Sequence, residues 1–494
     1  MKQPKQNVAN GMSTELLHKA YSGALFKEEG DDLIALLANH LKTTKEGTPS
    51  KVTRWVSPTN EYNFWQEYVK ENHSTKEFFT TVLERSIHTH HPKYIGHQIA
   101  STVPVAALAT LFSAQLNNGM TVYEMGQAST AIEKVVIDMF VHAIGYTEGD
   151  GFLTSGGTLA NLTAMLAARK AIANDDIWND GHASKLAIMV SEEAHYCVDR
   201  AARIMGLGND GIIKIPVDDQ YAIRTDLLET YYAKAVADGR QVIAIVGSAP
   251  STSTGVYDDL EAVSAFAKAK KIWFHVDGAH GGAAIFSSKY KHLLKGIDQA
   301  NSVIIDGHKM MGTSSITTAV LFKNKVDSYA TFEQKAQYLW DKNDDPEWYN
   351  IGKRTFECTK SMMSLRFFAI MNAYGTQFFD DNVTVLYDAG REFATYIKQH
   401  PDFELALDPI SNIVCFRYIR NLSPDQYEEV NRKIRQELLE DGEFYIVSTL
   451  LKGVFYLRTT FMNPFTNKEH MEALLEKIKA IASNIELKKE QINL

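Results

Sequence analysis

The sequence is poor in cysteine, and this scarcity excludes two kinds of architecture. Its 494 residues include three cysteines, Cys197, Cys358 and Cys415, which lie far apart and form no Cys-x-x-Cys pair. A disulfide framework needs paired cysteines, and a structural zinc site needs several at short spacing. We therefore predict a protein of a reducing compartment, with no disulfide framework and no metal site.

The chain also lacks a basic excess and a long hydrophobic run. It has 51 Lys and Arg against 60 Asp and Glu, a net charge of −9, whereas a dedicated nucleic-acid binder shows a basic excess. The most apolar stretch, "TVPVAALATLFSAQL", is interrupted by polar residues and is too short to span a bilayer. The N-terminal residues "MKQPKQNVANGMSTELLHKA" lack the apolar segment of a signal peptide. We expect a cytoplasmic protein with neither a nucleic-acid nor a membrane partner.

Patterns of hydrophobicity predict three parts along the chain. Residues 1–95 carry apolar residues at helical spacing, as in "STELLHKAYSGALFKEEGDDLIALLANHLKTT". Residues 96–355 alternate short apolar runs, such as "KLAIMVS" and "QVIAIVGSAP", with amphipathic segments. Continuous apolar strands separated by helices predict an α/β domain with a mainly parallel sheet covered on both faces. Residues 356–494 show a mixed pattern, which predicts a smaller α+β domain.

Polar residues that are able to bind a ligand or take part in catalysis follow several of the predicted strands. His195 comes after "AIMVSEEA", Thr252 after "VIAIVGSAPS", and Lys309 after "SVIID", while Asp277 ends "IWFHV". Each of these residues alone is also explained as an ordinary polar start of a loop. In open α/β sheets, however, ligands bind at the carboxyl ends of the strands. Together the four residues predict one binding site.

The segment "FLTSGGTLANLTAMLAARKA" has the pattern of a phosphate-binding turn. Gly156 and Gly157 follow a predicted strand, and Thr158 precedes a run with helical spacing. Glycines allow the backbone to approach a ligand closely, and a helix N-terminus offers unpaired N–H groups to an anion. The alternative is an ordinary turn with Thr158 as the N-cap. It is not a Walker A loop, since no Gly-Lys-Ser/Thr follows.

The other strand-end residues suit a protonated heteroaromatic ring. A carboxylate in surroundings as apolar as those of Asp277 needs a cationic partner, and a protonated ring nitrogen is one; a helix N-cap is the alternative. His195 can lie flat on an aromatic ring, although it also fits an ordinary core or surface histidine. A phosphate cradle, an acid, an imidazole and the amine of Lys309 fit one cofactor, pyridoxal 5′-phosphate.

The motifs "HVDGAHGG" and "DGHKMMG", with "TSGGTLAN" and "SEEAHY" upstream, closely resemble those of the group II pyridoxal-dependent amino-acid decarboxylases. This family includes glutamate, cysteine-sulfinate, aromatic-amino-acid and 2,4-diaminobutyrate decarboxylases. The resemblance runs from "HPKYIGHQ" to "FMNP" and covers most of the chain. It implies the α/β fold type I of pyridoxal-phosphate-dependent transferases (aspartate-aminotransferase-like). It also implies a helical N-terminal segment that contributes to a dimer interface.

The resemblance implies a role for each matching position around the cofactor. Lys309 matches the lysine that forms the Schiff base, and Asp277 matches the residue that pairs with the pyridine nitrogen. His195 matches the histidine stacked on one face of the ring, a catalytic position, and Ala279 lies against the ring. The remaining positions predicted to contact the cofactor are Gly157, Thr158, Thr252, Asp306 and His308.

Two further matches concern the reaction and the substrate. Tyr338, in "KAQYLWDKNDDPEW", falls where the family has a mobile-loop tyrosine thought to protonate the carbanion after carbon dioxide leaves. The alternative for Tyr338 is an exposed loop aromatic. Arg458, in "FYLRTTFMNP", matches an arginine near the substrate carboxylate in the glutamate-type members, although arginines also bridge subunits. Gln98 is the second residue that we expect to bind the substrate.

The sequence departs from the family pattern at four positions next to these matches. Asp306 precedes Gly307 where many relatives have Asn-Pro, and Gly278 and His280 replace an alanine and a bulky aromatic residue. His280 is close to the expected active site, so it bears on the identity of the substrate.

The resulting prediction is an enzyme of amino-acid metabolism that decarboxylates an L-amino acid to its amine. The resemblance implies a homodimer with shared active sites. We favour an acidic substrate (glutamate, aspartate or cysteine sulfinate), with diaminobutyrate or an aromatic amino acid as alternatives. Transamination or oxidative deamination is a second possibility, against which Tyr338 counts. A non-catalytic homologue is a third, against which Lys309 and Asp277 count.

Overall fold

The computed structural model describes residues 7–181, 184–332 and 347–492. The chain divides into two compact units, one of residues 1–94 with 436–445 and one of residues 95–435 with 446–494. The domain limits after residues 95 and 355 stay predictions. Within the described ranges, no helix combines the length and the apolar character needed to cross a membrane.

The first unit is built from helices, as the spacing of its apolar residues predicts. They are α1 (Asn7–Ala20), α2 (Gly23–Lys45), α3 (Pro58–Tyr68) and α4 (Thr75–Arg85). Ser74 caps α4 and forms a capping box with Glu77, so that two backbone N–H groups of the first turn are satisfied. The Arg85 guanidinium at the end of α4 forms an ion pair with Glu61 of α3. The contact fixes two of the helices to each other.

The second unit contains the remaining helices and all the strands in the described ranges. Its helices are α5 (Pro104–Leu116), α6 (Tyr123–Ile144), α7 (Gly157–Ile172), α8 (Ile177–Asp180), α9 (Tyr196–Ile204), α10 (Leu228–Ala237), α11 (Leu260–Lys270), α12 (Lys325–Ala330), α13 (Ser364–Tyr374), α14 (Gln377–Gln399), α15 (Tyr427–Asp441, which ends in the first unit) and α16 (Lys468–Ile492). Its strands are β1 (Asp150–Thr154), β2 (Lys185–Ser191), β3 (Ile212–Ile215), β4 (Arg240–Ser248), β5 (Trp273–Asp277), β6 (Ser302–Asp306), β7 (Thr318–Phe322), β8 (Phe403–Leu405), β9 (Ile413–Tyr418), β10 (Val447–Leu451) and β11 (Val454–Thr460).

The main sheet has seven strands in the order β1-β7-β6-β5-β4-β2-β3. Strands β3, β2, β4, β5 and β6 run parallel, whereas β7 lies antiparallel between β6 and β1. The predicted mainly parallel sheet is therefore confirmed. The carboxyl ends of the parallel strands meet at one edge of the sheet, where a ligand site is expected.

Each face of the main sheet has its own hydrophobic core. Val303 and Ile305 of β6 point into one core, and Ile304 between them points into the other, as the period of two along a strand requires. Helix α7 covers the second face and contacts strands β4 to β7. Its N-terminus begins directly after β1, so the chain delivers a helix N-terminus to the ligand edge.

A smaller antiparallel sheet has the strand order β10-β11-β9-β8. Arg458 of β11 pairs with Val447 of β10 and with Cys415 of β9. Its position in the middle of the sheet accounts for the burial of its side chain, which is 7% exposed.

Candidate active site

A cavity of about 490 Å³ opens at the carboxyl ends of the parallel strands. Residues at or shortly after the ends of β1, β2, β4, β5 and β6 all contribute to its wall, because these strand ends share one edge of the sheet. The wall is formed by Ser155, Gly156, Gly157, Thr158, Asn161, His195, Cys197, Arg200, Ser248, Pro250, Ser251, Thr252, Asp277, Ala279, His280, Asp306, His308, Lys309 and Ile316.

The residues predicted from the sequence divide into three groups in the structure. Tyr338 lies outside the described residues, and Gln98 and Arg458 do not contribute to the cavity wall. The others line this one cavity: Gly157, Thr158, His195, Thr252, Asp277, Ala279, Asp306, His308 and Lys309. Their roles stay predictions.

One side of the cavity is the turn between β1 and α7. Gly156 has φ of 98°, a left-handed conformation that favours glycine, and it directly precedes the first residue of α7. A Cβ on Gly157 would lie 3.2 Å from the carboxylate oxygens of Asp306, so a larger residue there would require the Asp306 side chain to shift by a few tenths of an ångström. Because the first N–H groups of α7 have no partner within the helix, this side of the cavity suits an anion.

The Asp277 carboxylate lies on the floor of the cavity. Its Oδ1 accepts a hydrogen bond from the N–H of Ala279 at 3.2 Å, and its Oδ2 accepts one from Asn161 Nδ2, also at 3.2 Å. These two donors fix the orientation of the carboxylate. The carboxylate is thus held as an acceptor for a cationic N–H group of a ligand.

His195 caps α9 and lines the cavity. Its Nδ1 accepts a hydrogen bond from the N–H of Cys197 at 3.4 Å. Burial lowers the pKa of His195, and the nearby charge of Asp277 opposes this shift in part. The imidazole is therefore neutral at pH 7, and its proton is on Nε2.

Lys309 follows β6 and is paired within the cavity. Its Nζ lies 3.0 Å from Oδ2 of Asp306, and Nε2 of His308 lies 3.7 Å from the same oxygen. The Asp306 carboxylate also accepts a hydrogen bond from the Thr318 hydroxyl. Asp306 thus faces the cavity and interacts with the Lys309 amine. The sequence alone did not indicate where the Asp306 side chain lies.

The Arg458 guanidinium lies behind Thr252 rather than in the cavity wall. Its Nη1 donates a hydrogen bond to the Thr252 carbonyl at 2.9 Å, and its Nε has no hydrogen-bond partner among the described residues. Burial lowers the pKa of Arg458. Gln98 similarly has an Nε2 without a partner in the described ranges.

The departures from the family pattern have structural counterparts. A Cβ on Gly278 would lie 2.9 Å from the carbonyl oxygen of Ile304, so an alanine at Gly278 would require a shift of the backbone. Nε2 of His280 lies 2.8 Å from Oδ1 of Asn412, whose Nδ2 donates to the Phe461 carbonyl. Burial lowers the pKa of His280 to about 3, so this imidazole is neutral.

Sequence reasoning missed Asn161 and His275, which lie directly behind Asp277. Asn161 contacts both Asp277 and His275, and His275 is completely buried. A signal for His275 was present, because it is a polar residue inside an apolar strand and points to the same face as Asp277, two residues later.

Comparison with known proteins identifies the family of this site. Residues 65–419 match the model of the pyridoxal-dependent decarboxylase conserved domain. The chain belongs to this family. The enzyme is therefore a carboxy-lyase that acts on an amino acid with pyridoxal phosphate as its cofactor.

Individual relatives of the decarboxylase cover almost its whole length. An aspartate 1-decarboxylase of Aliivibrio fischeri is 28% identical over 94% of this chain and 92% of its own. An aromatic-L-amino-acid decarboxylase of Bacillus atrophaeus is 26% identical over 92% of this chain and 94% of its own. The crystal structure of mouse CSAD has the same fold, with a TM-score of 0.86 and 22% identity over 93% of this chain and 99% of that one.

The cavity of the decarboxylase fits pyridoxal phosphate in the chemistry of its donors. It combines a helix N-terminus next to two glycines, a carboxylate with fixed donors behind it, and a lysine amine. These groups match the phosphate, the ring nitrogen and the aldehyde of the cofactor, respectively. The wall also holds a second carboxylate, Asp306, which pairs with the Lys309 amine.

Proposed function

We propose that this decarboxylase acts on an acidic L-amino acid. The observation that carries the proposal is Arg458, a nearly fully buried guanidinium directly behind the Thr252 wall of the cavity. Among the described residues, no carboxylate lies within ion-pair distance of it. A buried charge without a counter-ion is costly, and the side-chain carboxylate of an acidic substrate, reaching past Thr252, would supply the counter-ion. The aspartate 1-decarboxylase relative supports the same choice.

Each cavity residue then has a defined task. When bound, pyridoxal phosphate supplies an electron-withdrawing ring that accepts the electron pair freed as the carboxylate leaves. Lys309 would hold the cofactor covalently through its amine, and this amine would be released when the amine of the substrate takes its place. Asp277 would accept a hydrogen bond from the ring N–H and stabilise its charge. The N–H groups at the start of α7 would hold the phosphate.

The reaction replaces a carboxylate by one proton, so the site needs a proton donor at the α-carbon. We propose Tyr338 for this role because of its match to the family tyrosine. His195 would lie against the ring as a neutral imidazole and exclude water from that face.

We also propose that the enzyme works as a homodimer with shared active sites. Helix α5 supports this proposal, since Leu108 is 52% exposed and Phe112 is 58% exposed on one face of it. A second copy would cover these apolar side chains. A molar mass of one chain in light scattering at working concentration would contradict the dimer.

A second candidate substrate is 2,4-diaminobutyrate, and His280 favours it. Since His280 donates through Nε2 to Asn412, its Nδ1 is an acceptor, and it has no partner within the described residues. An amine in the substrate side chain would donate to such an atom.

Release of carbon dioxide from a panel of L-amino acids tests the proposal and separates the candidates. The panel contains aspartate, glutamate, cysteine sulfinate, 2,4-diaminobutyrate, tyrosine and DOPA, each tested on the purified protein saturated with cofactor. We expect release from one of the three acidic substrates. Release from diaminobutyrate or an aromatic substrate alone would overturn the proposed specificity.

Replacing Arg458 by methionine is expected to reduce kcat/KM for the acidic substrate by about 100-fold or more, because the substrate carboxylate would lose a buried cation. The affinity for pyridoxal phosphate should stay unchanged. The matched control is Arg417→Met, which removes a guanidinium from β9 of the same sheet, where Arg417 pairs with Glu404. An equal loss in both variants would show that Arg458 only supports the sheet.

A further inference from the structure

A continuous row of buried polar side chains runs from the core of the main sheet to Asp277. Trp273 Nε1 lies 2.8 Å from the hydroxyl of Ser302, which lies 2.8 Å from Nδ1 of His275. Nε2 of His275 lies 2.9 Å from Oδ1 of Asn161, whose Nδ2 lies 3.2 Å from Oδ2 of Asp277. The four residues that precede Asp277 in this row are each at most 2% exposed. We call these four residues the donor chain: Trp273, Ser302, His275 and Asn161.

The hydrogen-bonding chemistry of these groups and the neutral ring of His275 set the direction of every hydrogen bond in the donor chain. A carboxylate only accepts, so the atom of Asn161 that faces Asp277 is its NH₂ group, and its Oδ1 faces His275. This oxygen needs a hydrogen from Nε2 of His275. Burial lowers the pKa of His275 to about 4, so the ring is neutral and its Nδ1 is an acceptor.

The remaining two bonds follow from the same rule. The Ser302 hydroxyl donates to Nδ1 of His275, and it accepts from Trp273, because an indole N–H can only donate. All four hydrogen bonds therefore point in one direction, towards the Asp277 carboxylate. Hydrogen bonds that are aligned in this way polarise one another and strengthen the final bond.

The secondary structure explains how the donor chain is assembled. Trp273, His275 and Asp277 alternate along β5 and so share one face. Ser302 begins β6 and pairs with His275 in the sheet register. Asn161 comes from the second turn of α7, whose backbone also holds its amide through the Gly157 carbonyl at 3.0 Å. Three elements are thus required to orient one carboxylate.

We propose that Asn161, His275 and Ser302 are positioning residues that act through Asp277, by keeping its negative charge fixed so that a shared proton stays on the cofactor ring nitrogen. This inference rests on the proposed role of Asp277. Without the donor chain, the Asp277 carboxylate would compete with the cofactor ring nitrogen for the proton between them. The ring would then lose its positive charge, and with it the ability to withdraw electrons during the reaction.

The test uses the full-length enzyme loaded with pyridoxal phosphate labelled with nitrogen-15 in the ring. In Asn161→Ala, we expect the ring nitrogen signal to move from its protonated towards its unprotonated position, and the cofactor affinity to fall by about 10- to 100-fold. In Ser302→Ala the donor chain is broken two residues further away. The nitrogen signal should move in the same direction but less, and the affinity should fall by about 3- to 10-fold.

Ser287→Ala is the matched control, because Ser287 is also completely buried and its hydroxyl also makes two hydrogen bonds, to Thr384 and to the N–H of Tyr290. It should lower the melting temperature without moving the nitrogen signal. If the signal stays at the wild-type position in Asn161→Ala and Ser302→Ala, the inference is wrong and these residues only fill space. Should Asn161→Ala fail to fold, Ser302→Ala decides alone.

The same readouts separate failure of this inference from failure of the proposed function. They need no substrate, so a wrong choice of amino acid leaves them unaffected. If Asp277 is not the partner of the ring, Asp277→Asn will leave the nitrogen signal unchanged, and the donor chain then has no route to the cofactor.

Discussion

Replacing Lys309 by alanine is expected to abolish covalent attachment of pyridoxal phosphate and to slow amine production by on the order of 10⁴-fold or more. The amine is the group in the cavity that can bond to the cofactor aldehyde, and alanine removes it together with its partnership to Asp306. Borohydride reduction followed by mass measurement of the protein reports the attachment directly. Carbon dioxide release from the preferred amino acid reports the reaction.

Lys309→Met separates the amine from the bulk of the side chain, since methionine retains most of the apolar stem. Both variants should bind the cofactor reversibly, because the turn at α7 and the Asp277 carboxylate are unchanged. Normal covalent attachment in either variant would show that another lysine serves the cofactor and would remove Lys309 from its proposed role.

Asp277→Asn is expected to lower kcat/KM by about 150- to 5000-fold, corresponding to the roughly 3–5 kcal/mol lost when one partner of a buried ion pair is removed. The substitution preserves the shape of the side chain but removes its charge, so the ring nitrogen would lose its counter-ion. Asn161 would at the same time face an amide instead of a carboxylate. The measurement is kcat/KM for the preferred substrate at saturating cofactor.

The control for Asp277→Asn is the same change at Asp259, whose carboxylate caps α11 by accepting from the N–H of Ala262. Asparagine is as good an N-cap as aspartate, so Asp259→Asn should alter neither stability nor activity. An Asp277→Asn enzyme with more than about a tenth of the wild-type kcat/KM would contradict the proposed ion pair, because about 1.4 kcal/mol corresponds to a factor of ten.

Much of the fold was predictable because its strands are continuous apolar runs. "KLAIMVS" and "KIWFHVDGAH" contain β2 and β5, and the strand ends correctly indicated which residues share an edge of the sheet. The antiparallel direction of β7 had a signal that the hydrophobic pattern alone does not carry. Residues 307–317 are the whole connection from β6 to β7, whereas a parallel crossover needs a dozen or more residues and usually a helix.

The residues that lie behind the cavity were harder to predict than those that line it. His275 had a periodicity signal. Asn161 ends the motif "TSGGTLAN", but nothing in that motif indicates which groups its amide contacts. The identity of its partners depends on how α7 lies on the sheet, which a single sequence does not specify. For the same reason the sequence did not indicate that Arg458 would reach the carbonyl of Thr252 rather than the cavity itself.

The pairing of β1 with β7 has a consequence for biosynthesis. Among the strands that the structure describes, β7 is the one that pairs with β1, and more than 160 residues separate the two strands in the chain. At about 5–20 residues per second, the ribosome needs roughly 10–30 s to make that interval. During this time β1 has no partner in the sheet, and the turn before α7 has no fixed support. The nascent enzyme should therefore depend on chaperones until β7 emerges, and should acquire its cofactor only afterwards.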